Sequence, residues 1–189
     1  MPRIVETIVT TVDAAGIPHI APLGLIEDGA GWIIAPFRPS RTLDNLRAVP
    51  FAVASHTQDV RVFAGCVTGR KSWPTVPAER VQGVRLADAV SHWELAVHGV
   101  TEDEQRPRFH CRVVHTGTHG PWSGFNRAQG AVLELAVLAT RLHMLPAEKI
   151  EAELAYLEIA ISKTAGPAEQ EAWGWLKERI DAWRRDKAG

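Results

Sequence analysis

Polar and apolar residues alternate with a period near two through roughly the first 115 residues, and apolar positions then recur at spacings of three and four through roughly the last 65. A period of two sends successive side chains to opposite faces of a strand, whereas the longer spacing lines one face of a helix. The chain therefore divides into a β part, residues 1–122, and a helical part, residues 123–189. Within the first part, residues 6–12 and 17–26 read as paired strands around the turn Asp13-Ala14-Ala15-Gly16, and Glu27-Asp28-Gly29-Ala30-Gly31 turns the chain into a third strand at 32–36. Residues 38–46 break the alternation and read as a loop entering a short helix. Strands are expected again at 51–56, 60–67, 91–100 and 108–116, with a Pro-rich polar excursion over 71–85.

From Asn126 onward the pattern predicts three amphipathic helices. Val132, Leu135, Leu138 and Leu142 share one face; Pro146 suits the first turn of a second helix carrying Ile150, Leu154, Leu157 and Ile161. Gly166-Pro167 separates this from a third, in which Trp173, Leu176, Ile180 and Trp183 form a stripe while Trp175 points elsewhere. Such helices are not stable alone, so their stripes must pack on one another, on the strands or on a second subunit.

Composition narrows the function classes. The 189 residues hold 21 basic and 22 acidic side chains, so no global field draws in nucleic acid or an anionic membrane. No stretch approaches the roughly 20 apolar residues of a membrane-spanning helix, and residues 1–11 lack the pattern of a signal peptide. Two cysteines in strand-like apolar contexts, Cys66 and Cys111, read as buried thiols, and the cytoplasm is the expected compartment.

The residues with most chemistry to offer lie in the break at 38–46. Ser40, Arg41, Thr42 and Asn45 place hydroxyls, a guanidinium and an amide around one helix start, where free N–H groups also point outward. That is the donor set a phosphate dianion needs. The plainer reading is a hydroxyl cap and a solvated arginine.

Gly16-Ile17-Pro18-His19-Ile20-Ala21-Pro22, Gly31 to Phe37, Ser40 to Leu46 and Phe51 to Ser55 together resemble the FMN-binding split-barrel superfamily of pyridoxamine-phosphate oxidase and the flavin reductases. A narrower resemblance rests on Glu6 to Thr11, Ala21 to Gly24, Thr42 with Asn45-Leu46, Asp59 with Phe63-Ala64, and Asn126-Arg127-Ala128 followed by Glu134 and Thr140-Arg141. These are similar, in order and spacing, to the domain-of-unknown-function family 447, split-barrel proteins of methanogenic archaea and of bacteria with methanopterin-linked one-carbon metabolism. Ser55-His56 departs from the Asn-rich stretch of that family.

The resemblance implies an antiparallel FMN-binding split barrel with a C-terminal three-helix segment, a homodimer, and FMN held without covalent attachment. Its phosphate would meet Ser40, Arg41, Thr42 and Asn45. Its ring would meet Thr7, Val9, Thr10, Ala21 and Pro22, and Thr57, Asp59, Asn126 or Arg127 would reach the ring or the ribityl hydroxyls. Plainer readings stand beside these: half-buried strand residues for the threonines, a turn residue for Asp59, a helix cap for Asn126.

Cys111, His115 and His119 follow at intervals of four, but on an extended strand such residues stand roughly 13 Å apart, so no metal is expected there. Gly-x-Ser-x-Gly and the P-loop Lys-Ser/Thr ending are both absent. The expected function is an oxidoreductase acting on a small molecule, with pterin or one-carbon intermediates suggested by the resemblance alone. A non-catalytic ligand-binding split barrel and a reductase using flavin as a passing substrate are the alternatives.

Overall fold

The computed structural model describes residues 2–188, Ala188 without its side chain, and divides into two compact units. The barrel unit comprises residues up to 57 together with 73–122. Its main strands are β1 (Ile4–Val12), β2 (Pro18–Asp28), β3 (Gly31–Ile34), β4 (Phe51–His56), β7 (Ser91–Thr101) and β8 (Arg108–Thr118), with the two-stranded ribbon β5 (Thr75–Pro77) and β6 (Val84–Leu86). Among the described residues, the six longer strands close in the order β1-β2-β3-β8-β7-β4, every pair antiparallel. This is the antiparallel barrel that the resemblance implies. Closure gives each of those strands a neighbour on both sides over at least part of its length.

Direct cross-strand partners share a face, so Val5, Thr7, Val9 and Thr11 on β1 lie with Leu25, Leu23, Ala21 and His19 on β2. Val9 and Leu25 belong to the barrel core together with Trp32, Ile34, Ala54, Leu95 and Phe109. The rings of Trp32 and Trp93 stack at 4.8 Å. The short helix α1 (Arg41–Ala48) adds Leu43 and Leu46 to this core, three apart on one face. Each such buried side chain contributes about 1.5–3 kcal/mol relative to exposure.

The helical unit contains α2 (Arg61–Val67), α3 (Arg127–Ala139), α4 (Ala147–Thr164) and α5 (Pro167–Ala188). Its core joins Val60 and Ala64 to Val132, Leu135, Ile150, Leu176 and Ile180, with Trp173 buried beside them. None of these helices is long and apolar enough to cross a membrane, among the described residues.

Two expectations are corrected. Residues 61–67 are helix, with Val60 at its N-cap, where strand was expected over 60–67. Val60, Phe63, Ala64 and Val67 repeat at i, i+3, i+4 and i+7, and that spacing outweighs the β-branched composition once Val60 and Ala64 have a helical core to join. As a result the division is not a single cut at 122/123, because residues 58–72 group with the C-terminal helices.

Candidate functional site

The loop after β3 ends at Ser40, whose extended backbone and side-chain oxygen begin α1: Ser40 Oγ accepts the Leu43 N–H at 3.3 Å and Ser40 O accepts the Asp44 N–H at 3.2 Å. The plainer reading is therefore true of the Ser40 lone pair. Arg41 is exposed, and its guanidinium has no hydrogen bond or ion pair among the described residues. The N–H groups of Arg41 and Thr42, in the first turn of α1, lack intrahelical acceptors.

Thr42 and Asn45 occupy the opposite, buried side of α1. Asn45 Nδ2 donates to Thr11 Oγ1 at 3.0 Å, tying α1 to β1. Asn45 thus serves as a strut between helix and barrel, since a buried amide must satisfy its own hydrogen bonds.

The expected ring-binding residues divide by face. Thr7, Val9 and Ala21 share the inner face: Val9 is core, and Thr7 Oγ1 donates to Leu23 O at 3.1 Å. Thr10 and Pro22 are on the other face, where Thr10 Oγ1 donates to Val84 O of the ribbon. The Val9 side chain is part of the barrel core, which leaves its main chain as what it could offer a flavin. Thr57 is half-buried just past β4.

In the helical unit, Asp59 accepts the Arg61 N–H at 3.0 Å, and its two oxygens take Arg61 Nε and Nη2 at 2.9 and 2.8 Å. The hydrogen bonds Arg61 donates to Asp59, then the Asp59 charge, raise the Arg61 pKa. Asn126 caps α3 by accepting the Ala128 N–H at 2.7 Å and donates to Thr164 O at 3.1 Å. Both side chains therefore hold helix starts. Arg127 differs. It is exposed, has no polar partner among the described residues, and lines a cleft of about 400 Å³ with Gln58, Phe125 and Gln129.

A second cluster, absent from the sequence-based set, stands on the barrel wall. Glu94 of β7 is buried and accepts the N–H groups of Glu79, Arg80 and Val81 at 2.6, 2.7 and 2.8 Å. Burial alone would raise its pKa; these bonds and one from His92 outweigh that and hold it below the ordinary carboxylate value. His92, also buried, approaches Glu94 with Nε2 at 3.2 Å and His119 with Nδ1 at 2.9 Å. Desolvation, then the Arg85 cation, lowers the His119 pKa. His115 lies directly across from Glu94, with Nε2 3.3 Å from Glu79 Oε2.

The expectation that Cys111, His115 and His119 do not share a metal concerned one strand. Cys111 is in the barrel core, its Sγ donating to Phe109 O. What intrastrand spacing could not convey is that β7 and the β5–β6 loop bring His92 and Glu79 to His115. The available signal was the i, i+2 pair His92 and Glu94 on a strand next to a histidine-bearing one.

Residues 5–120 match the family model described as the N-terminal domain of the protein of unknown function DUF447, and residues 126–178 match that of its C-terminal part. The chain belongs to the DUF447 family. The FMN-bound DUF447 protein MM1853 from Methanosarcina mazei has a similar structure, with a TM-score of 0.80 and 21% identity over 95% of this chain and 96% of that one. Pseudomonas fluorescens 2-nitrobenzoate 2-nitroreductase NbaA is similar at a TM-score of 0.52 and 19% identity, over 63% of this chain and 66% of its own. Streptomyces globisporus NADH:FAD oxidoreductase SgcE6 gives 0.51 and 18%, over 60% and 75%. No curated protein matches this DUF447 chain by sequence. The fold is that of the flavin-reductase and flavoredoxin split barrels.

Proposed function

We propose that this DUF447 protein binds FMN without covalent attachment and works as a homodimeric oxidoreductase on a small molecule. The observation that carries the reading is the start of α1: an exposed guanidinium with no partner among the described residues, beside two N–H groups that the helix itself leaves open. Ser40 reinforces it, since its oxygen lone pair is used by Leu43 while its O–H proton stays available to donate. A phosphate dianion matches that set in charge and in donor number. The similarity to an FMN-bound member of the same family, over nearly the whole chain, supports FMN over FAD.

Bound FMN would supply the electron-transferring ring. The chain's own part is to hold the phosphate at Ser40, Arg41 and Thr42, and to present the outer surface of a rigid barrel to the ring. Arg127 lines the cleft beside Gln58 and Gln129 with no polar partner among the described residues, and it suits a ribityl or substrate oxygen. Exposed Ile4, Ile17 and Phe37 in the barrel unit support burial against a second copy.

The test is the visible absorption of the protein after addition of FMN, or separately FAD, followed by desalting, with mass measured by light scattering. Wild type should retain FMN in preference to FAD and run as a dimer. Arg41→Ala should fold normally and bind FMN roughly 10- to 150-fold more weakly, the equivalent of one charge-assisted contact of about 1.5–3 kcal/mol. A wild-type protein that emerges colourless from saturating FMN would refute the proposal.

A further inference from the structure

We propose that Glu79, His92 and His115, on the barrel wall, form a binding site for one divalent transition-metal cation of the zinc class. One ligand atom from each lies within 4.8 Å of the other two. Nitrogen and oxygen ligands bound to zinc at about 2.0–2.2 Å stand about 3.3 Å from one another, so the three must close by about 1.5 Å at most. The Glu79 side chain is half exposed, at 55%, and supplies that freedom through its rotatable bonds.

Three features set this cluster apart from a chance gathering of polar groups. First, His92 is fully buried and its Nε2 faces the Glu94 carboxylate at 3.2 Å. Glu94 is itself fixed by three backbone N–H groups and does not turn toward the cluster. An ionised carboxylate beside Nε2 fixes the orientation of the His92 ring. This is the carboxylate–histidine arrangement that orients metal-binding imidazoles.

Second, His115 Nε2 is buried without a hydrogen bond, although Glu79 Oε2 is only 3.3 Å away. The oxygen is close enough for an ion pair but lies off the direction a hydrogen bond requires. A buried ring nitrogen beside a carboxylate yet unbonded to it would be satisfied by a cation that both can reach.

Third, the chain makes room for the His92 ring. Gly117 is its direct cross-strand partner, and a β-carbon there would come within 2.7 Å of His92 Nδ1. His119 Nε2 lies 2.9 Å from the same Nδ1, so a third imidazole stands beside the cluster.

Two imidazoles and one carboxylate select a borderline cation over magnesium or calcium, which take oxygen ligands throughout. A three-ligand set also leaves a coordination position open to water or a small molecule. The site requires no flavin, and its test is independent of the flavin proposal.

The experiment is titration of chelator-treated, desalted full-length protein with Zn²⁺ against a chromophoric competitor, repeated with Mg²⁺ in excess. Wild type should take up one Zn²⁺ per chain and resist displacement by Mg²⁺. His115→Gln and Glu79→Gln, at partly exposed side chains, should keep the wild-type far-UV spectrum and lose at least about 100-fold in affinity, the upper end of what removal of even an outer-shell partner costs. His110→Gln is the control, because His110 belongs to a separate surface pair with Asp28 and Thr101. It should bind as wild type does. Absence of competitive Zn²⁺ uptake by wild type, or equal uptake by His115→Gln, would overturn the proposal and leave the cluster as a hydrogen-bonded fastening for the β5–β6 loop.

Discussion

Glu94 offers the sharpest single perturbation of the barrel. Glu94→Gln preserves shape and removes the charge. In the native protein Oε1 accepts the Glu79 N–H and faces His92 Nε2, while Oε2 accepts the N–H groups of Arg80 and Val81. Whichever oxygen becomes the amide nitrogen, two buried donors then confront a donor. Hydrogen bonds to a charged acceptor contribute about 1.5–3 kcal/mol each, so the substitution should cost about 3–6 kcal/mol, a large part of the 5–15 kcal/mol that stabilises a typical domain. The assay is urea unfolding followed by near-UV circular dichroism, where the stacked Trp32 and Trp93 report on the barrel. The cost should depend on pH. The Glu94 pKa is lowered on folding, so its stabilisation is full above the ordinary value of 4.5 and is lost as the pH falls below that value toward the folded one. Wild type and variant should therefore differ most at pH 7 and converge in acid. A difference under about 1 kcal/mol at pH 7, or one that persists unchanged at pH 3, would refute the assignment of Glu94 as an ionised anchor.

The thiols and the helical core give two further expectations. Burial pushes the Cys111 thiol up to about 12, so at pH 8 a chromogenic disulfide reagent should label Cys66 alone in the native protein and both cysteines in denaturant; rapid native labelling of two thiols would contradict this. Leu135→Ala, at a fully buried position of α3, should destabilise the helical unit by about 2–5 kcal/mol, and an unchanged far-UV melting curve would show that the α2–α5 core is packed otherwise.

Much of the barrel was legible because the alternation in β1, β2, β4, β7 and β8 is a local signal that survives folding, and because turns such as the one at Gly16, with φ of 81°, need a residue without a β-carbon. The α1 start was legible for the same local reason. Its division into exposed Arg41 and buried Asn45 was not, because a short helix does not announce which side meets the barrel. Asp59 and Asn126 are of the residue types that serve equally as ligands and as caps, and only the positions of the Arg61 and Ala128 N–H groups decide between the two. His92 escaped notice for a different reason. Its neighbours Glu79 and His115 are assembled by strand register and by a loop, neither of which any spacing in the chain encodes.

The placement of α2 has a consequence for how the protein is made. Its sequence falls between β4 and β5, yet Val60 and Ala64 belong to a core whose other walls, α3 to α5, follow the last barrel strand. During synthesis an apolar helix therefore emerges early and waits for partners that leave the ribosome last. A shorter product ending at residue 122 would keep every barrel strand and still carry a greasy, orphaned turn on an internal loop. The C-terminal helices are thus no detachable accessory: gain or loss of that region in one evolutionary step would strand residues 58–72, so the two parts are bound to a shared history.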